Sequence, residues 1–368
     1  MSKISVQAAS GKYVVHVKPG LLRTLSCKLR KTGVAKGKLF VVTTPEIWAL
    51  WHERFLASFS SDEDAPTVLF LPSGERYKRL SRVEKLAEEL VHAGARRDSL
   101  LIAFGGGVTG DLAGFLAAIY MRGIPCVQVP TTYLAQIDSS LGGKMGVNLR
   151  VGKNLIGSFH HPAIVIVDPE LLSTLPPREL RAGIMESIKA AVLGDAALFT
   201  WLEKNADALL RGDLDALTYA IHASIRIKAK IVSADERESG QRMLLNLGHT
   251  VGHAIESATE YRVLLHGEAV AWGMIAALRL AVARSVLSEK TADRIERLML
   301  RFGPWPQFKA STERLLDLTA ADKKNLSHTR NFILPVRIGK AVVVTDVTTR
   351  ELRNAIHTML ESVRKIGA

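Results

Sequence analysis

Cysteine is nearly missing from this 368-residue chain: Cys27 and Cys126 stand far apart, without metal-like spacing. A disulfide framework and a thiolate metal site are therefore not expected, and both side chains read as packed thiols. Long apolar runs are missing too. No stretch reaches the roughly 18 residues that a membrane span needs, and the N-terminus MSKISVQAASGKYVVHV lacks a continuous apolar signal core. The expectation is a soluble, cytoplasmic protein with no membrane partner. Acidic residues are in deficit, 36 against 49 Lys and Arg, which leaves a formal charge of +13. That excess calls for an anionic partner. The basic residues are dispersed, however, with no basic block and no interleaved aromatic platform. This argues against nucleic acid and for a small anionic molecule. The zinc-protease signature H-E-x-x-H is also absent, because Thr250 follows His249.

What is present suggests two domains. KISVQ and YVVHV, at 3–7 and 13–17, read as a hairpin around Gly11. LFVVT (39–43), TVLFL (67–71), LLIAF (100–104), CVQVP (126–130) and IVIVD (164–168) are apolar, mostly β-branched runs separated by helix-length segments such as Leu80 to Ala93. Such runs fit a parallel sheet covered on both faces, so residues 1–176 are expected to form an α/β nucleotide-binding domain. From Arg178 onward the segments are long, periodic and poor in Gly and Pro, which predicts a mainly α-helical domain over 177–368, with the boundary at PPRE. FILPVRIGKAVVVTDV (332–347) reads as a small hairpin beside the helices.

Several stretches can carry chemistry. Gly105, Gly107 and Gly110 fit G-x-G-x-x-G between a strand and a helix, a context that cradles a pyrophosphate on backbone N–H groups. No acidic residue follows about 20 positions on to hold a ribose, so a plain tight turn is the alternative. Thr131 to Phe159 reads as a long polar loop whose Asp138, Ser139, Lys144, Asn148, Lys153 and Asn154 suit a phosphate or polyol. Asn246 to Glu268, NLGHTVGHAIESATEYRVLLHGE, places His249 and His253 four apart, on one helical face, with His266 further on. In GIMESIK, Glu186 and Lys189 are three apart, the spacing of an ordinary surface ion pair. A carboxylate with two imidazoles is nonetheless the ligand set of a catalytic zinc, and Glu186, His249 and His266 would complete it.

Together GGGVTGD, VPTTYLAQIDSSLGGK, GKNLIGSF, LPPRE, NLGHTVGHAIE and LHGEAVAWGM, in this order, resemble the 3-dehydroquinate synthase family of sugar-phosphate cyclases over nearly the whole chain. The resemblance implies an NAD-binding domain joined to a helical metal domain, an active site in the cleft, and a homodimer. It also implies conversion of 3-deoxy-D-arabino-heptulosonate 7-phosphate to 3-dehydroquinate and phosphate. The steps would be transient oxidation by NAD, phosphate elimination, return of the hydride and an internal aldol closure. Matched motif by motif, Glu186, His249 and His266 would bind Zn2+, with Co2+ as an alternative. NAD would lie on Gly107, Val108, Thr109, Gly110 and Asp111, with Thr131, Thr132, Lys144, Lys153, Leu171 and Thr174, and with Glu75 and Lys78 of SGERYK.

Asp138, Lys144, Asn154, Lys189, Lys228, Arg242, Asn246 and His253 match substrate-contacting positions, and Lys153, Arg242 and Asn246 would hold the phosphate. His253 would then relay a proton rather than bind metal. Arg122 matches a position reaching across the dimer, and either Lys323 or Lys324 matches a further substrate lysine. Thr44 and Pro45, Met145 and His161 depart from the family pattern. Rival readings are a 2-deoxy-scyllo-inosose or 2-epi-5-epi-valiolone synthase, against which Lys228, Arg242 and Asn246 speak, and a metal-dependent polyol dehydrogenase, which would accumulate NADH.

Overall fold

The computed structural model describes residues 2–9, 11–59, 65–324 and 331–366, side chains excepted at 2 and 321–324. The chain divides into two compact units, Met1–Pro176 with Leu214–Glu236, and Pro177–Asp213 with Arg237–Ala368. No helix among the described residues is long and apolar enough to cross a membrane.

The first unit carries β1 (Ser2–Ala8), β2 (Gly11–Val17), β3 (Leu39–Thr43), β4 (Thr67–Phe70), β5 (Leu100–Gly105), β6 (Cys126–Pro130), β7 (Lys144–Leu149), β8 (Gly152–Phe159) and β9 (Ile164–Val167). Among the described residues they form a seven-stranded sheet in the order β1-β2-β9-β6-β5-β3-β4, plus the hairpin β7-β8. The β1-β2 pair is antiparallel and the other neighbours in the sheet are parallel. The physical cause is the unbroken apolar character of the central strands. Val41, Leu100, Ile102, Phe104, Val127 and Val129 point into one buried cluster, completed by Leu25 and Leu29 of α1 (Leu25–Lys31) and Trp51 and Phe55 of α2 (Pro45–Leu56). The alternate residues Phe40, Val42, Leu101, Ala103 and Cys126 enter the opposite cluster, against α3 (Leu80–His92) and α4 (Gly107–Ile119). Both faces are thus covered, as parallel pairing requires.

Two departures from the family pattern have local reasons. Thr44 caps α2, its hydroxyl accepting from the Ile47 N–H at 3.3 Å, and Pro45 occupies the first helical position. Such a cap stabilises a helix by about 1 kcal/mol. Met145 is buried in the core and lies against Gly114 of α4, where an added Cβ would be 2.4 Å from its sulfur.

Two expectations are corrected. The polar stretch 131–159 is not a loop: it holds a π-helical turn, Ala135–Ser139, and the β7-β8 hairpin. The hairpin closes because Gly146 and Gly157 face one another, and a Cβ on Gly157 would sit 2.3 Å from the Met145 carbonyl oxygen. Nor does everything after residue 177 form one helical domain. The helical periodicity expected after Arg178 is broken at Gly212, whose φ of +74° ends a helix in the left-handed region. The helix that follows, α7 (Leu214–Ala234), packs with β1 and the 135–139 turn in the first unit.

The second unit contains α5 (Pro177–Gly194), α6 (Ala196–Leu210), α8 (His249–Ala258), α9 (His266–Ala283), α10 (Glu289–Leu300), α11 (Thr312–Lys324), the antiparallel hairpin β10 (Phe332–Arg337) and β11 (Lys340–Val344), and α12 (Thr349–Ile366). Helices α8 and α9 approach to backbone contact: a Cβ on Gly273 would lie 1.9 Å from the Gly248 carbonyl oxygen. Likewise α5 and α9 meet at Gly267, where a Cβ would lie 1.9 Å from the Ala182 carbonyl oxygen. Only glycine permits either contact.

Candidate functional site

In the first unit, β5 ends at Gly105 and α4 begins at Gly107, so the glycine turn feeds directly into a helix N-terminus. Gly107, Val108, Thr109 and Gly110 form the first turn of that helix; the Gly110 N–H donates to the Gly106 carbonyl at 3.0 Å, while the N–H groups before it belong to the positions that lack an intrahelical acceptor, where the helix dipole favours an anion. The turn leaves no room for larger residues. A Cβ on Gly105 would be 2.6 Å from Thr109 Oγ1, and one on Gly107 would be 3.0 Å from Ser139 Oγ. Next to it, the Thr131 N–H donates to the Gly105 carbonyl at 3.0 Å, and the buried Thr131 hydroxyl has no partner among the described residues. Thr132 caps the following turn, its hydroxyl accepting from Ala135 N at 3.2 Å. Leu171 is a core side chain, and the Thr174 hydroxyl accepts from Trp51 Nε1 at 3.2 Å.

A polar cluster adjoins the same helix. Lys78 is buried, with its ammonium 2.5 Å from Asp111 Oδ2 and 2.6 Å from Asn154 Oδ1. Burial raises the Asp111 carboxyl above the usual range, against the pull of Lys78. Asn148 donates to Glu75 at 2.7 Å and accepts from the Asn154 N–H at 2.9 Å. Lys144 and Lys153 lie on β7 and β8 of the hairpin, exposed and half-buried respectively. On the turn 135–139, Asp138 receives two bonds from Lys228 of α7, 2.6 Å to its carboxylate and 2.6 Å to its carbonyl. The allegiance of α7 to this unit is what brings Lys228 to Asp138. Arg122 is not gathered with these groups. It sits on an exposed left-handed turn, φ 69°, at the far end of the 13-residue α4 from the glycine turn, about 18 Å along the helix. His161, the third departure, stacks on Tyr13 at 5.4 Å and lies 3.0 Å from Glu236.

In the second unit, Glu186 and Lys189 of α5 form the expected pair, but it is not a surface pair. Their side chains are 2% and 3% exposed, with Lys189 Nζ 2.5 Å from Glu186 Oε2. The second carboxylate oxygen, Glu186 Oε1, is buried without a partner among the described residues. An orphaned buried carboxylate oxygen is costly unless something else satisfies it. Imidazoles stand beside this carboxylate: one ligand atom from each of Glu186, His249 and His266 lies within 4.8 Å of the others. The residues present therefore fit a divalent cation. Burial, and after it the charge of Lys189, holds His249 well below the usual imidazole range, and neutral imidazole is the metal-binding form. At His266 burial pulls downward, but the hydrogen bond and charge of Glu256, and then the charge of Glu186, prevail and raise its pKa. His253 is exposed, its ring 5.3 Å from that of His249 and 6.1 Å from that of His266. Arg242 is buried in this unit, and the exposed Asn246 donates to Glu238 at 2.6 Å. The side chains of Lys323 and Lys324 lie outside the described residues.

The sequence reading missed two carboxylates. Glu256, 4% exposed, lies 3.5 Å from His266 Nδ1 and completes a second group with His253 and His266. The signal was there: His249, His253 and Glu256 are spaced i, i+4, i+7, one stripe of a helix. Glu268, also buried, is held by Arg178 through two bonds of 2.8 and 2.7 Å and accepts from the Leu265 N–H at 2.8 Å, fixing the start of α9.

An open parallel sheet with a glycine turn at a helix N-terminus, followed in one chain by helices bearing a buried carboxylate and two imidazoles, defines a class: α/β nucleotide-binding proteins with a helical metal-site unit. Comparison narrows it. The family description "3-dehydroquinate synthase N-terminal" matches residues 68–182, and "3-dehydroquinate synthase C-terminal" matches 183–325. The 3-dehydroquinate synthase of Koribacter versatilis is 41% identical over 359 residues, 98% of each chain. Among solved structures, 2-epi-5-epi-valiolone synthase from Streptomyces hygroscopicus, with NAD+ and Zn2+ bound, is 29% identical, with a TM-score of 0.85 over 95% of this chain and 97% of that one. A 2-deoxy-scyllo-inosose synthase complexed with carbaglucose-6-phosphate, NAD+ and Co2+ is 27% identical, with a TM-score of 0.87 over 97% and 99%. The chain belongs to the 3-dehydroquinate synthase family.

Proposed function

We propose that this chain is a carbon–oxygen lyase that converts 3-deoxy-D-arabino-heptulosonate 7-phosphate to 3-dehydroquinate and phosphate, using NAD and a divalent metal, Zn2+ or Co2+. When bound, NAD supplies a hydride acceptor that becomes the donor again, and the metal supplies positive charge for the substrate hydroxyls. The observation that carries the reading is the buried Glu186, one of whose oxygens has no partner among the described residues and whose carboxylate lies within 4.8 Å of two imidazole ligand atoms.

The protein's own residues have separate tasks. Glu186, His249 and His266 would hold the metal, and Lys189 fixes the Glu186 carboxylate in place. The N–H groups of Gly107 to Thr109, with the Thr131 hydroxyl, take the diphosphate of NAD, Gly110 lets it approach, and the cluster of Glu75, Lys78 and Asp111 shapes the same site. Lys144, Lys153 and Thr132 add charge and a hydroxyl, and the Leu171 to Thr174 turn contributes backbone. Asp138, Lys228 and Asn154 orient the sugar hydroxyls. Lys153, Arg242 and Asn246 hold the phosphate in charge-assisted hydrogen bonds. His253 moves the proton released beside the leaving phosphate, its imidazole offering both an acceptor and a donor nitrogen. Arg122 serves the neighbouring site of a homodimer, and the enzyme works in the cytoplasm.

Phosphate release with purified protein tests the reading. Turnover of 3-deoxy-D-arabino-heptulosonate 7-phosphate without steady-state NADH accumulation is expected. Turnover of sedoheptulose 7-phosphate or glucose 6-phosphate alone would instead assign a different cyclase, and net NADH with a simple polyol a dehydrogenase.

A further inference from the structure

We infer that Glu256 is a positioning residue for the metal centre: its carboxylate accepts the Nδ1–H of His266 and so fixes the tautomer that presents Nε2 to the ion. The inference rests on the proposed metal-dependent reading. Its basis is a conjunction of geometry and charge. Glu256 is 4% exposed and lies 3.5 Å from His266 Nδ1, so the nitrogen left for the cation is Nε2. Glu186 and His249 approach the same imidazole, with ligand atoms within 4.8 Å. A ligand histidine whose other nitrogen donates to a carboxylate is held in orientation and made more basic.

Placement on α8 explains how one helix does this. His249, His253 and Glu256 occupy a single stripe, and α8 approaches α9 closely enough, through Gly248 and Gly273, for that stripe to face the His266 ring. Charge points the same way. Lys189 is buried beside Glu186, so a divalent ion here would have a cation for a neighbour. Glu256, in the second group that shares His266, is a further buried carboxylate whose charge opposes that repulsion.

The test uses the full chain, stripped by a chelator and reloaded. Zn2+ affinity is read by competition with a chromophoric chelator, and the ligand field by the visible spectrum of the Co2+ form. Glu256→Gln is expected to weaken Zn2+ binding by about tenfold or more, to change the Co2+ spectrum, and to leave NAD binding as in the wild type. In a His266→Ala background the same change should have no further effect on Zn2+ affinity. An unchanged affinity and spectrum would overturn the inference, as would an equal loss in both backgrounds. A measurement on the unsubstituted protein guards against a variant that fails to fold: with 15N-labelled histidine and Zn2+ bound, His266 should show a protonated Nδ1 and a metal-bound Nε2. Metal on Nδ1 overturns it. Failure of the underlying reading looks different, because the wild-type chain would then bind no stoichiometric metal at all.

Discussion

Gly267→Ala sets two effects of opposite sign against each other, and magnitudes decide between them. Alanine has the better helix propensity, which in a helix interior favours the variant by about 0.5–1 kcal/mol and at Gly267, the second position of α9, by less. Against this, the new Cβ would lie 1.9 Å from the carbonyl oxygen of Ala182, 2.6 Å from its carbon and 3.2 Å from its Cα. All three are backbone atoms of α5, so no side chain can swing aside. Restoring ordinary contact at 3.4 Å requires the helices to part by about 1.5 Å. Overpacking of this kind costs about 1–3 kcal/mol, occasionally more, so net destabilisation is expected. The separation falls at a sensitive place. Ala182 is one helical turn before Glu186, and Gly267 directly follows His266, so the two would-be ligands move apart along with their helices. Metal sites tolerate only about 0.2 Å in ligand distance. Urea unfolding of the stripped protein should therefore show a lower midpoint, and chelator competition should show Zn2+ binding weakened by about tenfold or more. A variant with a midpoint at or above that of the wild type and unchanged Zn2+ affinity would refute the close-approach argument.

Further outcomes follow from other sites. Glu186→Gln, which keeps shape and removes charge, should bring Zn2+ content well below one ion per chain and phosphate release to background; near-stoichiometric metal would remove Glu186 from the ligand set. Lys228→Met strips Asp138 of two bonds of 2.6 Å, and should raise KM for the sugar phosphate at least tenfold while NAD affinity is unchanged; an unaltered KM would contradict the role of this pair. If Arg122 acts in the neighbouring site, mixing inactive Arg122→Ala and His253→Ala chains should restore about a quarter of wild-type activity, since half the dimers are mixed and each has one intact site; no recovery on subunit exchange would place Arg122 elsewhere. His16 supplies a pH dependence: burial first, then the charges of Lys28 and Lys3, lower its pKa to about 4. The unfolded chain, with its imidazole near 6.5, binds the extra proton first, so stability is lost as pH falls from about 6.5 to 4, by up to about 3 kcal/mol. His16→Phe should blunt this loss in urea midpoints at pH 7 and 4.5, and an identical loss in both proteins would rule out His16 as its source.

Much of the architecture was legible from residues alone. The strands LFVVT and CVQVP occupy β3 and β6, the two neighbours of β5, over the residues expected, because a strand buried on both faces writes itself as a continuous apolar run. The glycine turn before α4 was legible for a related reason: a backbone that must pass so close to Thr109 that a Cβ would sit 2.6 Å from its hydroxyl excludes side chains. The carboxylate and the two imidazoles, spread from 186 to 266, could be nominated from residue type. Tertiary structure decided the rest. Helical periodicity reveals that α7 has an apolar face, not which neighbour covers it, and so it could not assign α7 to the sheet unit or bring Lys228 to Asp138. Spacing puts Glu186 and Lys189 on one face, yet only the packing of α5 shows that face to be buried and one carboxylate oxygen left unpartnered. Glu256 stood three residues from His253 throughout. Its meaning came from the closeness of α8 to α9, since a pairwise interaction is set by distance in space and the sequence records only distance along the chain.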